Sequence, residues 1–159
     1  MSDLNDEKFM RRAIELSIEN VTLRGGGPFG CVIVKDGNIV AEGYNRVTAI
    51  NDPTAHAEVT AIRNACEKLN SFQLDDCIIY TSCEPCPMCL GAIYWARPKA
   101  VYYANTKTDA AAILFDDNFI YKEIELGIQN RKLPFKQIMN KEALEAFKMW
   151  SSKTYKTEY

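Results

Sequence analysis

The alternation of helical and strand-like segments most constrains what this chain can fold into. An amphipathic helix is predicted over about Asp6–Leu23, because Phe9, Ala13 and Leu16 lie on one stripe and Gly25–Pro28 interrupt the pattern. A hairpin, a second helix and then strands separated by helices follow it. This order indicates a layered α/β domain whose later strands are joined by right-handed crossovers.

Turn and cap residues predict the elements in the middle of the chain. Two β-branched runs flank Asp36-Gly37, a dipeptide that suits a tight hairpin. Asp52 as the cap and Pro53 in the first turn predict a helix over residues 54–69. The apolar runs CIIYTS and AVYYA are predicted to be buried strands, with a helix between them.

The last part of the chain is predicted to hold one more strand and a helix. The segment PFKQIM is the candidate strand, and Asn140 is the candidate cap of the C-terminal helix. Leu144, Phe147 and Trp150 recur at helical spacing and are expected to point inward. Residues 1–159 are few enough to form a single domain.

Charge and hydropathy limit the partners. The net charge is −2 and no basic block is present, which argues against nucleic acid as a main partner. The polar N-terminus and the lack of a long apolar run argue against a membrane and favour a cytoplasmic location. Six cysteines in that compartment are expected to be reduced thiols that pack or bind metal.

One histidine and two cysteines form a candidate metal site. His56 is the only histidine, and Cys86 and Cys89 follow in the motif Pro-Cys-x-x-Cys. A spacing of three residues puts both sulfurs on one helical face, and the amino end of a helix favours the thiolate that binds metal. Zinc accepts such ligands and, in catalytic sites, keeps a fourth position for water. The sequence therefore predicts zinc bound by these three residues.

A carboxylate two residues after the histidine suggests a task for the metal. Two thiolates cancel the charge of the ion, so a nearby general base is useful, and Glu58 is predicted to take and pass on the proton. His-x-Glu followed by Pro-Cys-x-x-Cys is the signature of zinc deaminases. The alternative is a closed structural site in which Cys83 is the fourth ligand.

Longer motifs extend this likeness over nearly the whole chain: GGPFG, EGYNRVTAINDPTAHAEVTAIR, LDDCIIYTSCEPCPMCLGAIYWARPKAV and FDDNFIYKEI. With them the chain resembles the cytidine-deaminase-like superfamily and, within it, the small bacterial guanine deaminases. The resemblance implies a three-layer α/β/α sandwich with a mixed central sheet. It also implies one zinc ion per subunit, hydrolysis of guanine to xanthine and ammonia, and a homodimer that exchanges a C-terminal segment of about residues 140–159.

The same resemblance assigns residues to the substrate. Phe29 and Trp95 would be aromatic walls of the pocket. Asn45 and the backbone N–H of Ala57 would hydrogen-bond the edge of the base. Glu58 would protonate a ring nitrogen and then the departing amine, while an activated water attacks the carbon that bears the 2-amino group.

Two further assignments concern the end of the chain. Asp117 would accept from the N–H groups of the base, and Tyr159 of a partner subunit would close the pocket. The family commonly has a glycine before FDD, whereas this chain has Leu114. If that glycine has a positive φ, the leucine is expected to alter the loop that places Asp117.

Other functions share these motifs. A tRNA adenosine deaminase should carry arginine or lysine near its C-terminus to hold the RNA backbone, and this chain has only scattered lysines there. A nucleoside, cytosine or triazine deaminase of the same fold would need only small pocket changes. An inert zinc-binding interaction module would have no use for Glu58.

Overall fold

The computed structural model describes residues 3–159, which form two compact units, residues 3–118 and residues 119–159. The first unit carries the sheet and the residues with metal-binding chemistry. In chain order its elements are α1 Asp3–Leu23, β1 Gly30–Lys35, β2 Asn38–Tyr44, α2 Val47–Ile50, α3 Ala57–Leu69, β3 Ile78–Cys83, α4 Pro87–Ala96, β4 Ala100–Asn105 and α5 Lys107–Ala112. After it come α6 Asn118–Glu125, a short 3₁₀ turn Ile128–Asn130 and α7 Asn140–Ser152.

The sheet is mixed, with the strand order β2-β1-β3-β4. β1 pairs antiparallel with β2 and with β3, while β3 pairs parallel with β4. The predicted hairpin is confirmed, since Asp36 and Gly37 both have positive φ, as a tight turn between twisted strands requires. The β3–α4–β4 crossover brings the amino end of α4 to the carboxyl end of β3.

Helices cover both faces of this sheet. On one face, Phe9, Ala13 and Leu16 of α1 pack with Val32 and Tyr80 of the sheet. On the other face, apolar residues of α3 and α4 pack against the alternate side chains of β1 and β3; they are Cys31, Ile33, Ala57, Ala61, Ala65, Ile79, Ile93 and Ala96. The alternation within β1 separates the two clusters. The predicted three-layer α/β/α sandwich with a mixed sheet is therefore confirmed.

One strand is less buried than predicted, and one predicted strand is absent from the described structure. The AVYYA segment forms β4, but β4 is the edge strand, and its residues from Tyr102 onward are exposed instead of buried. An apolar run does not reveal whether its strand is central or at an edge, because only the neighbours decide burial. The PFKQIM segment, residues 134–139, has no strand structure.

Two helix predictions also need correction. α3 begins at Ala57 and not near Thr54, because Asp52 Oδ1 accepts from the backbone N–H of Thr54 in a local turn (2.8 Å). In α7 the cap is Met139 and not Asn140. The apolar face of α7, formed by Leu144, Phe147 and Trp150, is exposed by 40%, 70% and 42% instead of pointing inward. Among the described residues, we find no helix with the length and apolar character to cross a bilayer.

Candidate metal centre

The two helices that carry the candidate ligands begin at the same end of the sheet. His56 is the residue before α3 and Cys86 is the residue before α4, and neither side chain caps its helix. Gly43 of β2 allows α3 to approach, since a Cβ atom there would collide with the carbonyl oxygen of Ala57. The side chains at both helix starts are thus available to a ligand.

The candidate ligand atoms converge. The Nδ1 atom of His56 is 3.5 Å from Sγ of Cys86 and 3.5 Å from Sγ of Cys89. Within residues 3–159, these three side chains form the group whose ligand atoms all lie within 4.8 Å of one another. The structure therefore brings together the predicted ligand set, while Cys83 turns its sulfur toward the carbonyl oxygen of Thr106 (3.7 Å).

These separations fit zinc. Metal–nitrogen and metal–sulfur bonds of about 2.0 and 2.3 Å at a tetrahedral angle put nitrogen and sulfur about 3.5 Å apart. Cys89 is fully buried, whereas His56 and Cys86 are half-buried, so the cluster is accessible from one side. One imidazole and two sulfurs with an accessible side match a catalytic zinc site better than a closed structural one.

Ionisation of the cluster prepares it for a cation. The hydrogen bond with Cys89 lowers the pKa of the Cys86 thiol to about 4, with a smaller contribution from His56. The same sulfur–sulfur contact raises the pKa of Cys89, because the two thiols share one proton. The hydrogen bond with Cys86 raises the pKa of His56. A negative sulfur beside a second thiol is a favourable site for a divalent metal.

Glu58 lies directly beside this cluster. Its side chain is 6% exposed, and its Oε2 accepts from Sγ of Cys89 (3.4 Å). Its Oε1 accepts from the hydroxyl of Thr81 in β3 (3.2 Å). Burial raises the pKa of Glu58, as expected for a carboxylate withdrawn from water. A buried carboxylate with a raised pKa can both take and return a proton near neutral pH.

The loop after α5 brings Asp117 into the electrostatic range of the cluster. The pKa of Asp117 is raised first by burial and then by the negative charge of Cys86, and Asp117 in turn contributes to the raised pKa of His56. Leu114 has φ of 71°, the positive value that the sequence pattern suggested for this position. The N–H of Leu114 donates to the carbonyl oxygen of Ala111, and the N–H of Phe115 donates to the carbonyl oxygen of Ala110. This pattern, with a positive φ at its centre, is typical of a helix end that favours glycine.

Replacing Leu114 by glycine is therefore expected to raise the free energy of unfolding by about 1 kcal/mol, since a non-glycine residue is strained at this φ. The matched variant Ala112→Gly, at the last position of α5, is expected to lower it by a similar amount, about 1 kcal/mol. Urea unfolding measures both values. A destabilised Leu114→Gly protein would show that the leucine side chain contributes more than its backbone strain costs.

The predicted base-binding residues near the sheet form a second group. The N–H of Asn45, at the end of β2, donates to the carbonyl oxygen of Phe29 (3.2 Å), so the two residues are adjacent. Asn45 is buried, and Ala57 is the first residue of α3, next to the candidate ligand His56. The structure thus places three of the predicted contacts at the end of the sheet where α3 begins.

Two other predicted contacts are exposed. Trp95 lies near the end of α4 and its side chain is 62% exposed. Tyr159 belongs to the second unit and is 70% exposed. Their roles in substrate binding stay predictions that rest on resemblance.

Sequence reasoning missed two residues of this region. Thr81, which donates to Glu58, lies in a strand that is otherwise mostly apolar, and a hydroxyl within such a strand is a usable signal. Phe115 packs edge-on against the ring of Phe29, with the centroids 5.0 Å apart. Its separation of 86 residues in sequence left no local signal.

The family of the chain follows from comparison with known proteins. Residues 3–105 match the family described as the cytidine and deoxycytidylate deaminase zinc-binding region. The chain belongs to this deaminase family. The matched zinc-binding region includes Glu58 and the three converging side chains, which could hold a metal ion.

Members of the deaminase family resemble this chain to different degrees. Guanine deaminase of Bacillus subtilis (strain 168) is 62% identical over 156 residues, which is 98% of this chain and 100% of that protein. An X-ray structure of guanine deaminase from B. subtilis superimposes with a TM-score of 0.93, covering 96% of this chain and 98% of that chain at 62% identity. A tRNA-specific adenosine deaminase of Haemophilus influenzae is 40% identical over 118 residues, covering 70% of this chain and 68% of that protein.

Proposed function

We propose that this protein hydrolyses guanine to xanthine and ammonia. The observation that carries the substrate assignment is the likeness to the B. subtilis guanine deaminase, which extends over 98% of the chain and includes its C-terminal segment. The match to the tRNA-specific adenosine deaminase extends over 118 residues only. The cluster of His56, Cys86 and Cys89 beside a buried Glu58 supports the chemistry.

In this proposal the chain's own residues hold the metal and move protons. His56, Cys86 and Cys89 would hold zinc, which would act as a Lewis acid and make a water molecule a better nucleophile. Oε1 of Glu58 is anchored by Thr81, so Oε2 is the oxygen that carries the proton. Glu58 takes one proton from the water and gives it to the ring nitrogen beside the reacting carbon; it then takes the second proton from the added hydroxyl and gives it to the leaving amine. The carbon–nitrogen bond breaks, ammonia leaves and the water oxygen remains in xanthine.

The base is held by the remaining predicted residues. Asn45 and the N–H of Ala57 bind its edge, and Phe29 stacks on or beside its face. Oδ1 of Asn45 accepts from the backbone N–H of Val47 (3.3 Å), which directs the amide N–H group to serve as donor. Asp117 accepts from the base N–H groups, and Trp95 completes the aromatic wall.

Free thiols throughout the described chain suit a cytoplasmic location.

The experiment that tests this proposal is an ammonia-release assay on a panel of substrates. Guanine is expected to react fastest, and guanosine, adenine, cytosine and a tRNA anticodon stem serve as the competing substrates. Faster deamination of the anticodon stem would assign the protein to RNA editing instead. No ammonia from any substrate, with zinc bound, would favour an interaction module.

Loss of the Thr81 hydroxyl is expected to lower kcat about tenfold, because one hydrogen bond to a charged group contributes about 1.5 kcal/mol or more. The variant Thr81→Val keeps the shape of the side chain and removes its donor, while Thr81→Ser keeps the donor. Steady-state kinetics and zinc analysis on both variants check this. Equal kcat for the valine and serine variants would remove Thr81 from the account of Glu58.

We propose further that two subunits exchange residues of about 140–159. The exposed apolar face of α7, with Phe147 exposed by 70%, supports a partner surface for this helix. Tyr159→Ala is then expected to raise KM for guanine about tenfold, a loss of about 1.4 kcal/mol. Tyr155→Ala, in the same exposed tail, is the matched control and should leave KM unchanged. A monomer in sedimentation velocity would contradict the exchange. Equal KM values for Tyr159→Ala and the wild-type protein would contradict a role of Tyr159 in the pocket.

A further inference from the structure

A buried amide at the end of α1 connects two segments that the proposed function assigns to the base. Asn20 is 1% exposed. Its Nδ2 donates to the carbonyl oxygen of Gly27 (2.7 Å), two residues before Phe29, and to the carbonyl oxygen of Asn45 (2.9 Å). Both N–H groups of the amide are therefore used, each by a different segment.

The main chain strengthens this connection. The backbone oxygen of Asn20 accepts from the N–H of Gly26 (3.0 Å), and the N–H of Phe29 donates to Gly27 (2.8 Å). The N–H of Asn45 donates to the carbonyl oxygen of Phe29 (3.2 Å). Asn20 thus joins the loop before β1 to the end of β2 at the point where Phe29 and Asn45 are adjacent.

The lack of a side chain at Gly26 leaves room for this amide. A Cβ atom at Gly26 would lie 2.5 Å from Nδ2 of Asn20 and 3.0 Å from its Cγ. Because Nδ2 is the end of a side chain, an added methyl group would displace the amide instead of blocking the fold. The displacement would break the bonds to Gly27 and Asn45.

We infer that Asn20 is a positioning residue for the guanine pocket, an inference that rests on the proposed function. Its amide sets the distance between the segments that carry Phe29 and Asn45. Without its two donors, both carbonyl groups lose their partners, and the segments move to recover them. The base-edge contact of Asn45 exists in both the bound substrate and the transition state, so its misplacement raises KM and spares kcat.

Two variants disturb the amide, one by changing Asn20 itself and the other by crowding it from Gly26. Asn20→Asp keeps the shape but lacks at least one of the two donors, and Gly26→Ala displaces the amide while retaining Asn20. Each is expected to raise KM for guanine about tenfold, the size of a typical coupling between contacting residues, with kcat changed less than about twofold. Zinc content should equal that of the wild-type protein. If Asn20→Asp fails to fold, Gly26→Ala carries the test.

The matched control is Asn64→Asp. The amide of Asn64 also donates to a backbone carbonyl, that of Glu42 (2.9 Å), but it connects α3 to β2 outside the proposed pocket. The KM of Asn64→Asp for guanine should equal the wild-type value. In an Asn45→Ala background, Asn20→Asp should raise KM by clearly less than tenfold, because part of its effect passes through Asn45. An unchanged KM in zinc-loaded Asn20→Asp and Gly26→Ala, or full additivity with Asn45→Ala, would overturn the inference.

A second readout separates this inference from the proposed function. Amide hydrogen exchange at Gly27, Phe29 and residues 45–47 should accelerate in Asn20→Asp and Gly26→Ala and not in Asn64→Asp. Unchanged exchange would show that Asn20 does not hold the segments. If the wild-type protein releases no ammonia from guanine, the proposed function fails, and the exchange data still decide whether Asn20 joins the two segments.

Discussion

Glu58→Gln is expected to lower kcat for guanine by about a thousandfold while the protein still binds zinc. The amide of glutamine has nearly the same shape, but it cannot take a proton from water and return it to the base. The carboxylate it replaces is buried, anchored through Oε1 by Thr81 and directed through Oε2 toward Cys89, so a solvent molecule cannot easily substitute for it. Steady-state kinetics and elemental analysis of the same preparation measure the two properties.

The control for this variant is Glu67→Gln on the same helix. Glu67 is exposed and lies at the far end of α3, so its substitution should change neither kcat nor zinc content. A Glu58→Gln protein that retains the wild-type rate would remove Glu58 as the proton carrier. A variant that loses both zinc and activity would show that the carboxylate supports the metal site instead.

His56→Ala is expected to reduce bound zinc from about one ion per subunit to near zero and to abolish turnover. The imidazole supplies the only nitrogen of the cluster, and its removal leaves two sulfurs that cannot complete a tetrahedral site. Elemental analysis after dialysis gives the metal content. The same loss of activity should follow treatment of the wild-type protein with a chelator, with recovery on adding zinc.

Cys83→Ala separates the open site from the closed alternative. Cys83 contacts the carbonyl oxygen of Thr106 and is absent from the group of converging ligand atoms. The variant should therefore keep its zinc. Loss of zinc from Cys83→Ala, equal to the loss from His56→Ala, would establish four protein ligands and leave no position for a reacting water.

The convergence of His56, Cys86 and Cys89 could be predicted from sequence because the chemistry of these residues is local. A lone histidine before one helix and a Cys-x-x-Cys pair at the start of another have few other uses when Glu58 accompanies them. Thr81 and Asn20 could not be found in this way. Their importance comes from hydrogen bonds to residues 23 and 25 positions distant in the chain, which only folding brings into contact.

The fold shows the same division. Asp36-Gly37 determined a hairpin, since few other dipeptides tolerate two positive φ angles, and the apolar periodicity of α1 determined a helix. Apolar periodicity indicates which side chains are suited to burial, but it does not indicate which other elements cover them. Only the tertiary structure decided that β4 is an edge strand, that PFKQIM forms none, and that α7 exposes its apolar face, because burial depends on neighbours distant in sequence.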